Sequence, residues 1–217
     1  MGNMVFTIGR EFGSFGQTVG EKLAERLGIK VYDKELLKKA AKDSGLCEEI
    51  FNNNDEKPTS SFLYSLVMDT YSAGNYATST FLDMPLNHKV FLAQFEAIQK
   101  LAEQESCVII GRCADYALAE HEETIRIFIH ADMDDRVKWI AKRADLTESK
   151  ARDLIQKNDK QRASYYNYYT NKKWGDCRGY DLTLNTSKLS IDECVEVILA
   201  YARSYQNMLD KKHQAEN

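Results

Sequence analysis

The feature that most constrains the fold is an apolar run that leads into a glycine-rich turn and then into a helical pattern. Val5 to Ile8 read as a buried strand, and apolar residues recur at helical spacing from Val19 to Leu27. A helix that starts after such a turn directs unpaired backbone N–H groups at an anion, and glycine lets the backbone approach that anion closely. This strand–turn–helix pattern predicts a phosphate-binding loop made of Gly13, Ser14, Phe15, Gly16, Gln17 and Thr18.

The loop is an imperfect copy of the phosphate-binding pattern G-x-x-x-x-G-K-[ST]. With Gly16 at the second glycine, Thr18 takes the Ser/Thr position, which predicts that Thr18 lies near Mg²⁺. Gln17 then stands where the pattern has lysine, and Glu11 stands where it has the first glycine. Glutamine can donate a hydrogen bond to phosphate but brings no charge. The alternative interpretation is a glycine-rich turn of the kind found in any α/β protein.

Strand and helix patterns alternate along the 217 residues, which predicts one α/β domain with a parallel sheet covered on both faces. Further strands are expected at 29–33, 107–110, 125–131 and 180–187. Helices are expected at 34–41, 88–105, after Asp132, after Thr147 and at 191–209, with residues 211–217 frayed. Gly28 is expected to end the first helix, and Asp132 and Thr147 to cap the helices that follow them.

Composition narrows the class of protein. The net charge of −4 disfavours a general nucleic-acid binder, and the scattered five cysteines indicate reduced thiols rather than disulfides or a zinc site. No secretory leader and no membrane span is apparent, so we expect a cytoplasmic protein that does not bind membranes. The sequence leaves a homodimer open.

Charged residues follow several predicted strands where each strand ends. In an open parallel sheet the ligand crevice lies outside the carboxyl ends of the strands, and Arg10, Asp33 and Arg112 fall there. Arginines beside a phosphate loop suit phosphoryl transfer, because catalysis of that reaction is mainly positioning and neutralisation of charge. The alternatives are a salt-bridge role for Arg112 and a helix-capping role for Asp33.

A basic, aromatic stretch follows at residues 157–178. It contains Arg162 and the tyrosines 165, 166, 168 and 169. The tyrosines fit a packing stripe at helical spacing. Stacking on single-stranded nucleic acid is the other interpretation, which the acidic net charge disfavours.

Together these segments resemble the cytidylate kinase-like family, a branch of the P-loop nucleoside monophosphate kinases. The matching segments are Thr7–Gly16, Ile29–Glu35, Val108–Tyr116, Asp159–Arg162 and Tyr180–Ser187. The resemblance implies a three-layer core (1–42, 88–150 and 180–209), a helical acceptor-binding insertion at about 43–87, and a lid at about 157–178. It also implies that ATP and Mg²⁺ are used.

The resemblance also implies roles for individual residues. Arg112 and Lys39 would bind the acceptor phosphate, Asp33 would lie near the reacting phosphates and the metal, and Arg162 would stabilise the transferring phosphoryl group. The family has an acid after its Gly-Arg pair, where this chain has Cys113, so Asp115 is the candidate replacement in substrate binding.

Because Gln17 replaces the loop lysine, the missing positive charge has to come from elsewhere, and Arg10 is the candidate. The favoured function is phosphoryl transfer from ATP to a small phosphorylated acceptor, with a (deoxy)cytidylate-like nucleotide as the first guess. The alternatives are a non-catalytic nucleotide sensor on a kinase fold and a kinase of a non-nucleotide acceptor.

Overall fold

The computed structural model describes residues 3–33, 38, 42–43 and 85–216. Lys39, most of the expected helix at 34–41 and nearly all of the expected acceptor-binding insertion lie outside the described residues. The strands are β1 (Val5–Arg10), β2 (Lys30–Tyr32), β3 (Cys107–Ile110), β4 (Thr124–His130) and β5 (Leu182–Asn185). The helices are α1 (Gly16–Leu27), α2 (Leu86–Gln104), α3 (Ala114–Ala117), α4 (Met133–Ala144), α5 (Glu148–Thr170) and α6 (Ile191–Glu216), with a 3-10 turn at Cys177–Gly179.

The strands form one sheet in the order β2-β3-β1-β4-β5, with every neighbouring pair parallel. The predicted parallel α/β sheet is therefore confirmed. The central strand β1 sets the register, with Ile8 beside Ile110 on one side and Arg10 beside Ile129 on the other. The carboxyl ends of β1, β3 and β4 consequently meet at one edge, which is where the charged residues were expected to converge.

Each face of the sheet packs against helices. On one face, side chains of β1, β3 and β4 such as Ile8 and Ile127 pack against α1 and α6 in a fully apolar cluster. On the other face, Cys107 and Ile109 pack against α2 and α3. Successive side chains of a strand point to opposite faces of the sheet, so each central strand contributes residues to both clusters. The architecture therefore has three layers, with the sheet in the middle.

Of the three expected helix boundaries, two are confirmed and the third differs for a clear physical reason. Gly28 ends α1 with φ +65° and donates its N–H to the carbonyls of Ala24 and Glu25. The Thr147 side chain accepts from the Lys150 N–H, which confirms the predicted cap of α5. Asp132 stands at the start of α4 but makes no capping bond, because Asn185 and Lys188 hold its carboxylate instead.

The expectation that residues 211–217 are frayed is wrong for most of that segment, since α6 continues to Glu216. An ion pair between Lys212 and Glu122 ties this part of the helix to the loop before β4.

Among the described residues, no helix combines the length and apolar character needed to cross a bilayer.

The tyrosines of the basic, aromatic stretch lie on the second half of α5. Tyr165, Tyr166 and Tyr169 are buried in a cluster with Phe91 of α2, whose ring stacks on Tyr169 at a centroid distance of 4.0 Å. These three rings therefore pack as a stripe, as one of the two interpretations proposed, and they are not available to stack on nucleic-acid bases. The residues expected to form a lid are thus, up to Thr170, part of a helix anchored by aromatic packing.

Candidate active site

The glycine loop between β1 and α1 contains two residues with a left-handed backbone. Gly13 and Phe15 have φ values of +82° and +61°, and Phe15 occupies the position before α1 without a side-chain cap. The N–H groups of the first turn of α1 have no acceptor within the helix. Gly16 lies so close to β1 that a Cβ there would be 2.5 Å from the Cβ of Arg10. Helix α1 thus begins with one residue of bare backbone, Gly16, and unpaired N–H groups at a helix start suit a phosphate group.

Other elements brace this loop. Ser14 is fully buried, and its hydroxyl donates to the carbonyls of Glu11 and Ile129 at 2.9 and 3.1 Å. Thr186, just after β5, donates to the Ser14 carbonyl at 2.9 Å. The Ser14 side chain is therefore engaged in holding the loop in shape, and its backbone N–H donates to the Glu11 carbonyl at 3.4 Å.

A cavity of about 140 Å³ opens in front of the loop. It is lined by residues 10–13 and 15–18 and also by Trp139, Ile140 and Arg143 of α4 and Arg162 of α5. The Phe15 and Trp139 rings are in contact, with centroids 4.8 Å apart. Backbone of the glycine loop and arginine side chains thus line the same cavity. We call it the donor pocket, after the phosphoryl donor that the sequence predicts at this loop.

Gln17 and Thr18 both line the donor pocket. The Gln17 side chain is exposed and donates to the Glu21 carboxylate at 2.9 Å. Because its amide is neutral, Gln17 adds no positive charge to the loop. The Thr18 hydroxyl suits Mg²⁺, which protein sites commonly hold through few protein oxygens together with substrate phosphates. Among the residues that the structure describes, no group of three or more acidic, His or Cys side chains could hold a metal ion.

Arg112 and Asp33 are brought together by the carboxyl ends of β3 and β2. The Arg112 guanidinium donates to the Asp33 carboxylate and to the Ile110 carbonyl, and its side chain is only 3% exposed. Gly111, Arg112 and Cys113 all have positive φ, a backbone that non-glycine residues adopt at a cost of about 1–3 kcal/mol each. This turn carries Arg112 inward to Asp33, and Asp33 does not line the donor pocket.

Asp115 lies on the other side of the Arg112 turn. Its carboxylate accepts from the Tyr166 hydroxyl at 2.6 Å, and burial raises the pKa of Asp115. Burial, together with the nearby Asp115 charge, also raises the pKa of Tyr166. Both residues line a second, smaller cavity of about 20 Å³, to which Thr7, Arg112 and Trp174 also contribute. We call this cavity the acceptor-side pocket.

Arg10 and Arg162 line both pockets. The Arg162 guanidinium donates to the Arg10 carbonyl at 3.2 Å and lies 5.7 Å from the centroid of the Phe12 ring. These two cations therefore stand at the junction between the glycine loop and the Arg112 turn. Three other basic residues of the stretch 157–178 are exposed and line neither pocket: Lys157, Lys160 and Arg178.

Sequence reasoning gave no role to three charged residues near the loop: Arg136 and Arg143 of α4, and Asp159 of α5, which it named only within a family-matching segment. Arg136 is 5% exposed and pairs with Asp159 at 2.6 Å and with Glu11 at 3.5 Å. Arg143 lines the donor pocket. The available signal was position, since α4 directly follows the carboxyl end of β4 and so begins beside the crevice.

Comparison with known proteins identifies the family of this chain. The family model described as the cytidylate kinase-like family matches residues 5–188. A cytidylate kinase of Methanopyrus kandleri is 26% identical over 208 residues, covering 91% of this chain and 92% of that protein. A cytidylate kinase of Natronomonas pharaonis is also 26% identical, over 93% of this chain and 91% of its own length.

Solved structures support the same fold. An uncharacterised protein from Eubacterium ventriosum is 31% identical and superposes with a TM-score of 0.70, covering 93% of this chain and 99% of the other. A shikimate kinase from Bacteroides thetaiotaomicron shares the fold at 13% identity, with a TM-score of 0.53 over 92% of this chain and 98% of the other. The family match spans most of the chain, and the protein therefore belongs to the cytidylate kinase-like family.

Proposed function

We propose that this protein transfers a phosphoryl group from ATP to a small phosphorylated acceptor, and that a (deoxy)cytidylate-like nucleoside monophosphate is the first acceptor to test. The observation that carries the proposal is the position of Arg10 and Arg162, which line both the donor pocket and the acceptor-side pocket. A phosphoryl group moving between the two pockets would pass these cations, and such a group develops charge on its oxygens in the transition state.

Each pocket has a part in this proposal. ATP would place its phosphates on the amides of residues 13–18 and beside Arg143, with Mg²⁺ bound through Thr18 and the phosphates. ATP supplies the phosphoryl group, and Mg²⁺ would neutralise charge on it. In the acceptor-side pocket Arg112 would bind the acceptor phosphate, and Asp115 would contact the rest of the acceptor.

Asp33 acts in this scheme first through Arg112. Its carboxylate holds the guanidinium, and the pair has to adjust when an acceptor phosphate enters. The contribution of Asp33 to the metal and that of Lys39 to the acceptor phosphate are further parts of the proposal.

The scattered cysteines, of which Cys107, Cys113, Cys177 and Cys194 are free thiols, favour a reducing compartment such as the cytoplasm. A homodimer is a separate proposal that sedimentation can test.

The test is a coupled assay of ATP consumption across nucleoside monophosphates and other small phosphorylated acceptors, with Arg162→Ala and a control variant, Arg152→Ala. Arg152 lies on the same helix but pairs with Asp134 at the surface. Removing Arg162 should lower kcat by about 10²–10³, the cost of losing one preorganised donor to a transition state. The control should stay within about twofold. Equal loss in both variants would contradict the role given to Arg162.

A second candidate function is nucleotide binding without catalysis. It is favoured by Gln17, whose side chain is engaged with Glu21 instead of supplying a cation. Calorimetry separates the two: ATP binding with no turnover on the whole acceptor panel would favour the sensor. Turnover with a non-nucleotide acceptor alone would favour the third alternative, a kinase of a different small molecule.

A further inference from the structure

Helix α5 holds the backbone of the glycine loop through Asp159. One carboxylate oxygen of Asp159 accepts from the Phe12 N–H at 2.7 Å, and the other accepts from the Arg136 guanidinium at 2.6 Å. Arg136 in turn donates to the Phe12 carbonyl at 3.3 Å. Both backbone polar groups of Phe12 are therefore held by one ion pair that belongs to α4 and α5.

The electrostatics of this contact are unusual for a site that binds anions. A carboxylate beside a phosphate loop repels phosphate, and Asp159 lies within hydrogen-bond distance of that loop. Arg136 lies against Asp159 and Glu11, and the Glu11 carboxylate also accepts from the Ala131 N–H at 3.2 Å. Arg136 therefore offsets one of the two negative charges, and what Asp159 supplies to the loop is a directed, charge-assisted hydrogen bond.

The same helix contacts the loop a second time. Arg162, three residues after Asp159, donates to the Arg10 carbonyl and lies over the Phe12 ring. One turn further on, Tyr166 donates to Asp115 in the acceptor-side pocket. Because a helix is stiff over so short a distance, α5 links the shape of residues 10–12 to the wall of the acceptor-side pocket.

We propose that Asp159 is a positioning residue that couples α5 to the glycine loop. By fixing the Phe12 amide it sets the path of the backbone into Gly13, and so the direction of the amides that receive the donor phosphates. The identity of the donor rests on the proposed function, whereas the coupling itself does not. When α5 is displaced, the loop should lose this support.

The decisive measurement is amide hydrogen exchange at Phe12 in the protein without ligand, for Asp159→Ala and Asp159→Asn. A matched control is Asp153→Asn, which neutralises an exposed aspartate of the same helix. Loss of a hydrogen bond to a charged group predicts roughly ten- to hundredfold faster exchange at Phe12 in Asp159→Ala. Asp159→Asn keeps an acceptor oxygen and should show a smaller increase, while the control should match the wild type.

Kinetics supply a second readout. In Asp159→Asn we expect KM for ATP to rise about tenfold while KM for the acceptor stays within about twofold. The reason is that, in the proposed function, the loop binds the phosphates of ATP and the acceptor binds in the other pocket. A general loss of structure would change both. Unchanged exchange at Phe12 in both Asp159 variants, or equal shifts of the two KM values, would overturn the inference. If Asp159→Ala does not fold, Asp159→Asn decides. A wild-type protein without turnover would refute the proposed function and leave exchange to decide the coupling.

Discussion

Replacing Gly16 by alanine should damage both stability and phosphate binding, and the structure allows the size to be worked out. The added Cβ would lie 2.5 Å from the Arg10 Cβ and 3.2 Å from the Ile129 Cβ, whereas carbon atoms pack best at about 3.5–4.0 Å. Both neighbours are atoms close to the backbone of adjacent strands, so neither can rotate away. The start of α1 therefore has to move by about 1 Å, the gap between those distances.

Overpacking of this kind costs about 1–3 kcal/mol, and a misplacement of about 1 Å at a catalytic site can cost about a hundredfold in rate. Urea denaturation should thus show a loss of free energy of unfolding in that range, and calorimetry should show strongly weakened ATP binding. The control is Gly179→Ala, where a Cβ meets nothing within 4 Å. Wild-type ATP affinity in Gly16→Ala, with a loss of less than about 0.5 kcal/mol, would refute the packing argument.

Three further predictions concern the two pockets. Arg112→Ala should lower the free energy of unfolding in urea by about 3 kcal/mol, the lower end for a broken buried ion pair, because Asp33 keeps 20% of its side chain exposed; a loss below about 1 kcal/mol would contradict it. Burial raises the folded-state pKa of Asp115 above 3.8, so this buried carboxyl favours the folded state while it is protonated. That stabilisation is lost as pH rises through the raised pKa. Asp115→Asn, whose side chain stays neutral, should therefore be more stable than the wild type at pH 7. That advantage should shrink as urea denaturation is repeated toward pH 4, and a constant difference would count against the burial argument. Trp139 lines the donor pocket and Trp174 the acceptor-side pocket, so Trp139→Phe should abolish the fluorescence change on adding ATP while Trp174→Phe should keep it; a full ATP response in Trp139→Phe would place ATP elsewhere.

Much of the fold could be predicted because its signals are local. Apolar runs such as Cys107–Ile110 identify buried strands, and Gly28 and Thr147 mark helix ends through backbone preferences that act within a few residues. The placement of Arg10 and Arg112 at one edge follows from the parallel order of the strands. The capping role expected for Asp132 failed because a more distant partner, Asn185, competes for its carboxylate.

The sequence by itself thus determined the alternation of strands and helices, the glycine loop and the family, since these depend on periodicity and short motifs. Only the tertiary structure decided which charges meet. Phe12 and Asp159 are 147 positions apart, and Arg112 and Asp33 are 79 apart. Such contacts depend on sheet register and on the angle at which helices pack, which no local pattern encodes. The tyrosines of α5 show the same limit, because their spacing fitted two roles until burial against Phe91 favoured packing.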